Sequence, residues 1–185
     1  MIFKDLFRYR GSSKIRLLIE YLILSPGFKY TFFMRLCRFT REKKVLLCVH
    51  VVLRLILRHY QFKYGICIPY DTQIGSGLYI GHYGGIVVNS AVTLGKNCNI
   101  SQGVSIGATY GGNHPGVPKV GDNVYIAPGA KIIGGITIGN HAAIGANSVV
   151  TSTIPENAVV VGVPGEVISL RGSQGYVINT VSSDK

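Results

Sequence analysis

The sequence predicts a mainly-β solenoid, a triangular prism of stacked six-residue units, preceded by a short α-helical region. Two observations carry this. Ile68, Ile74, Ile80, Ile86, Val92, Cys98 and Val104 follow at a spacing of six, and after a 16-residue step the spacing resumes at Val120, Ile126, Ile132, Ile138, Ile144 and Val150. All 13 positions are apolar and 12 are β-branched. A glycine often comes next, as at Gly75, Gly81, Gly121, Gly139 and Gly145. One hexad buries too little to be stable, but three make an 18-residue coil with a β-branched residue inward on every face. A β-sandwich would instead show period two over longer strands.

Before the prism, Ser12-Ser13 is placed to cap a helix through Ile15, Leu18, Ile19, Leu22 and Ile23, which Ser25-Pro26-Gly27 breaks. A second helix is expected from about Lys29 to Arg41, with Phe32, Phe33, Leu36 and Phe39 on one side. Arg35, Arg38 and Arg41 would form a basic outer face. A third is expected from Val45 to Tyr60; its 13-residue apolar stretch, broken by His50 and Arg54, is too short for a membrane span of about 20 residues. The organisation is therefore a basic amphipathic helical region (1–63), a β-solenoid (64–168) and a polar tail (169–185) expected to be mobile.

Charge divides along the same lines. Residues 1–63 hold 14 Lys/Arg against 3 Asp/Glu, a net of +11, whereas residues 64–185 hold 5 against 5. No nucleic-acid recognition motif accompanies the excess, and nucleic acid is not expected as a partner. Cations interleaved with aliphatic runs suit a membrane surface or an anionic, lipid-linked substrate; an ordinary helical cap is the plain alternative. The four cysteines show no CxxC pairing and no secretory signal is evident. These point to free thiols, a cytoplasmic location and attachment, at most, to the inner membrane surface.

The 16-residue step is one hexad plus ten residues. It throws out a Gly- and Pro-rich loop, GATYGGNHPGVPK (107–119), and solenoid insertions of this kind often carry function. Histidine is the natural base near neutral pH. His82 stands at a glycine-crowded corner, GHYGG, and His114 in the loop. Their hexads differ by four units, which places them on adjacent faces about one coil apart. A loop in that position can reach a second subunit, so a symmetric oligomer with sites between copies is expected. There is no P-loop, HExxH, GxSxG or Cys/His ligand spacing, and no metal is expected.

The run from Tyr64 to Ile168, with its hexads, its loop and the ending IGANSVVTSTIPENAVVVGVPGEVI, resembles the hexapeptide-repeat acyltransferases, in particular the serine acetyltransferase-like branch. The resemblance implies a left-handed parallel β-helix, a homotrimer, and acetyl-CoA as co-substrate bound between subunits. It implies that His82 is the general base and that His114 contacts the acceptor, with Asn113, Tyr83 and Cys67 as further substrate contacts. Gly129, Lys131, Gly134, Gly135 and Ala146 would line the coenzyme path.

Three positions depart from the serine-specific pattern. An Asp stands 15 residues before the catalytic His in that branch, another immediately before it, and an Arg before the loop His; here they are Cys67, Gly81 and Asn113. A zwitterionic amino acid needs charged partners at both ends. The expected function is therefore acetyl transfer to a sugar hydroxyl, as in the similar O-acetyltransferases of capsule, exopolysaccharide and lipopolysaccharide assembly. The alternatives are a serine O-acetyltransferase of cysteine biosynthesis and a non-catalytic β-helix scaffold.

Overall fold

The computed structural model describes residues 1–182. Four helices form the cap: α1 (Ile2–Arg10), α2 (Ile15–Leu24), α3 (Pro26–Thr40) and α4 (Leu47–Tyr64). Glycines in the left-handed region end two of them, Gly11 after α1 (φ 64°) and Gly65 after α4 (φ 61°). Between α2 and α3 the stop is also a start. Ser25 Oγ accepts from the Phe28 amide at 3.3 Å and Pro26 occupies the first turn, where a missing N–H costs nothing.

The solenoid has three parallel faces. The first stacks β1 (Ile66–Cys67), β3 (Ile86–Val88), β6 (Ser105–Gly107), β9 (Lys131–Ile133) and β12 (Val149–Val150). The second stacks β2 (Gln73–Ile74), β4 (Thr93–Leu94), β7 (Lys119–Val120) and β10 (Thr137–Ile138). The third stacks β5 (Asn99–Ile100), β8 (Tyr125–Ile126), β11 (Ala143–Ile144) and β13 (Val159–Val161), closed by the antiparallel β14 (Glu166–Ser169). Every one of the 13 hexad residues is at most 4% exposed. They fill the prism because each coil sets its inward residue on the one below.

The register departs from the expected strict count of six. Ile74 pairs with Leu94 and Ile66 with Ile86, both 20 residues on, whereas Val87 pairs with Ser105, 18 on. Two extra residues therefore lie between Ile80 and Ile86. Beyond them, Ile86, Val92, Cys98 and Val104 occupy a second inward position, two residues ahead of Val88, Leu94, Ile100 and Ile106. Leu94 pairs with Val120, 26 on, so the loop carries eight extra residues rather than ten.

The cap also departs from expectation. Residues 2–10 form a further helix ahead of the three that the sequence predicts. Lys14, not Ser12-Ser13, precedes α2, and Ser13 Oγ donates instead to the Phe3 carbonyl at 3.0 Å. α4 begins and ends later than the expected Val45–Tyr60. On α3 the buried side is Phe28, Thr31, Met34 and Arg35, while Phe39 is 60% exposed. Arg35 is thus not on a basic outer face. Its guanidinium pairs with Asp5 (Nε–Oδ2 2.8 Å) and donates to the carbonyls of Ile74 and Gly75; Asp5 Oδ1 accepts the amides of Gly77 and Leu78. One buried ion pair ties α1, α3 and the first coil together.

The tail is not free either. From Ser173 it runs back up the corner between the second and third faces. Ser173 Oγ donates to the Asn123 carbonyl (2.6 Å), Asn99 Nδ2 to the Tyr176 carbonyl (3.0 Å) and the Val181 amide to Asn97 Oδ1 (2.9 Å). Tyr176 stacks on Tyr125, and Arg8 of α1 reaches Ile178, Gly77 and Asn99. The final part of the expected tail, 183–185, lies outside the described residues.

Candidate active site

The two extra residues sit in Gly81-His82-Tyr83-Gly84-Gly85, at the corner leading into β3. An 18-residue coil has no room for them inside, so they swell outward and leave His82 exposed. Glycine is required here. Gly84 and Gly85 have φ of 105° and 65°, backbone that side-chain-bearing residues rarely adopt. Tyr83 is pinned from the cap: its ring meets Tyr64 at 5.5 Å, and Tyr64 stacks on Tyr60.

The loop leaves the opposite edge of the same face, after β6, the strand paired with β3. It doubles back on itself through a pair of hydrogen bonds between Thr109 and Gly116 (3.0 and 2.8 Å). The Gly134 amide then holds the Gly107 carbonyl and the Gly135 amide holds the His114 carbonyl at 2.8 Å. A Cβ on Gly135 would strike the Pro115 carbonyl at 2.4 Å. These glycines, expected on the coenzyme path, thus anchor the loop. Asn113 and His114 are exposed, beside a 410 Å³ cavity shared with Ile133, Thr151 and Ser152.

The remaining candidates lie on the first face or its edges. Cys67, in β1, accepts from Gln61 Nε2 at 3.1 Å. Lys131, in β9, has its ammonium held by the Gly103 carbonyl and Ser105 Oγ (3.1 Å). Gly129 and Ala146 share the His82 corner further down, where a Cβ on Gly129 would collide with Asn147 Oδ1 at 2.0 Å. Sequence reasoning missed Gln102, on the same corner column. Its Oε1 is buried with no hydrogen-bond partner among the described residues, and such an atom calls for one. Its isolated side chain gave no periodic signal.

His82 and His114 stand at opposite edges of one face and are not brought together within one chain. A cyclic assembly that packs one edge against the other edge of the next copy would join them.

The family model described as bacterial transferase hexapeptide (six repeats) matches residues 118–152. The chain folds as a β-helix of hexapeptide repeats. It is 42% identical over 123 residues to a serine acetyltransferase of Staphylococcus xylosus and 41% identical to one of Staphylococcus aureus. The matches cover 66% of this chain but only 57% and 58% of those relatives, so the chain spans less than three fifths of their length. Among solved structures, it is similar to a serine acetyltransferase in complex with cysteine (29% identity, TM-score 0.73, covering 97% of this chain and 67% of that one). It is also similar to the Neisseria gonorrhoeae serine acetyltransferase in complex with serine (30%, 0.71, 89% and 66%). A serine acetyltransferase in complex with CoA superposes with a TM-score of 0.73 at 29% identity, covering 90% of this chain and 68% of that one.

Proposed function

We propose that the chain is an acetyl-CoA-dependent O-acetyltransferase in which His82 is the general base. His82 takes the proton from an acceptor hydroxyl, and the oxygen attacks the thioester carbonyl. The C–S bond breaks, and the sulfur leaves with the proton returned by the imidazolium. One positioned base and fixed geometry supply much of such a rate. The observation that carries this reading is the two-residue swelling that lifts His82 out of a coil with no other irregularity at that corner.

The first face suits a thin coenzyme arm. Gly103, Gly129 and Ala146 place small residues along its His82 edge, and Lys131 offers a cation midway across. Three copies arranged head to tail would place His82 of one beside Asn113 and His114 of the next. Mixing His82→Ala and His114→Ala chains by unfolding and refolding them together should then restore part of the activity that neither has alone.

The named relatives favour L-serine as the acceptor over the sugar hydroxyl that the sequence put first. A neutral sugar remains as a second reading on one observation: no carboxylate stands among Cys67, Gly81, His82, Tyr83, Asn113 and His114. A side chain at Gly81 would also press its Cβ to 2.9 Å from the Tyr79 ring and hydroxyl, which disfavours an Asp there. Thiol release from acetyl-CoA, measured with L-serine and with neutral sugars and nucleotide sugars in separate wells, decides between them. Turnover with serine alone removes the sugar reading, and turnover with a sugar alone removes serine. No release with any hydroxyl acceptor, together with no coenzyme binding, would leave a scaffold.

A further inference from the structure

We infer that the outer face of α4 docks on an anionic lipid surface. Leu47, Val51, Leu55 and Phe62 are 50–71% exposed. At 100° per residue they fall within an arc of about 80° on one side of the helix. His50, Leu57 and Tyr64 are buried on the side turned to α3 and the first coil. Arg54 and Arg58 straddle one margin of this stripe, about 20° to either side of it, and Lys63 lies about 80° beyond the other, past exposed Val52. Just before the helix, Val45 is 97% exposed. An apolar strip with cations on its flanks is the arrangement of a helix lying in a lipid interface, its stems in the acyl boundary and its charges among the headgroups.

Charge selects the occupant. α4 contains no Asp or Glu across its 18 residues. Two copies packed α4 to α4 would oppose Arg54, Arg58 and Lys63 to themselves. Residues 64–185 are balanced at 5 cations to 5 anions, so the rest of a second copy carries no net negative charge to offset them. An anionic headgroup layer supplies what the chain lacks. No helix among the described residues is long and apolar enough to cross a membrane, so the contact lies in the plane of the surface. This inference stands apart from the transfer chemistry and from the choice of acceptor.

The test is co-sedimentation of the full chain with phosphatidylcholine vesicles and with vesicles one-third phosphatidylglycerol, at low and high salt. The chain should bind the anionic vesicles, and binding should fall severalfold with salt. Arg54→Glu/Arg58→Glu and Val51→Asn/Leu55→Asn should each reduce partitioning at least about tenfold, with helix content and oligomer mass unchanged. No binding to anionic vesicles, equal binding to neutral ones, or unaltered binding by both variants would overturn the inference. So would a fall in oligomer mass in Val51→Asn/Leu55→Asn, which would make a second copy the occupant.

Discussion

The cap and the prism are held together by opposite means. In the prism, each coil repeats the one below, and stability comes from stacked β-branched side chains, with hydrogen bonds running between adjacent coils. In the cap, the contacts that matter are polar, buried and unrepeated: Asp5 with Arg35, Arg8 with Gly77 and Asn99, and Tyr30 Oη with the Ile68 carbonyl at 2.9 Å. A repeated apolar contact can lose one member and keep its neighbours. A buried ion pair that loses one member strands the other.

That contrast sets the order of expected damage. Arg35→Ala leaves Asp5 buried and uncompensated and should cost about 3–5 kcal/mol in denaturant unfolding; an effect near that of exposed Arg41→Ala would erase the distinction. Ile126→Ala, fully buried in a prism that continues on both sides, should cost about 3 kcal/mol and leave the far-UV spectrum intact. Ending the chain at Gly172 removes the strap over the corner between the second and third faces and should cost about 1–2 kcal/mol, since each lost hydrogen bond contributes modestly on balance. An unchanged midpoint would return the tail to a free segment.

At neutral pH the smallest effect belongs to a thiol inside the prism. Burial pushes Cys98 up to about 12 from an ordinary 9. The folded state therefore favours the neutral thiol more than the unfolded state does. Its contribution is complete below pH 9 and is lost as pH climbs from 9 to about 12. Across that window the native protein should lose stability faster than Cys98→Val, and no difference between them should appear at pH 7. Exposed Cys48 should react with a thiol reagent well before Cys98 does.

Legibility followed the same divide. The prism could be read because its spacing is a local, repeated signal. The two-residue swelling escaped that count because both inward positions of each coil are apolar: Ile80 to Ile86 is six residues, yet it steps from one inward position to the other. In the cap, spacing along α3 suggested that Arg35 faces solvent. Its partners are 30 residues upstream and some 40 downstream, and nothing local announces them. The tail misled for a similar reason: its composition is polar, but it answers to the Asn97, Asn99 and Asn123 corner. His82 and His114 were legible as histidines set among glycines. Gln102 was not, since only the stacking of coils shows its amide oxygen to be enclosed.

The most direct test is thiol release from acetyl-CoA by His82→Ala beside the native chain, with an accepted hydroxyl substrate present. Coenzyme binding and oligomer mass should match between the two. A positioned base contributes about 10²–10⁴-fold, so turnover should fall by that factor in the variant. Turnover equal to the native rate would contradict the assignment of His82 as the base.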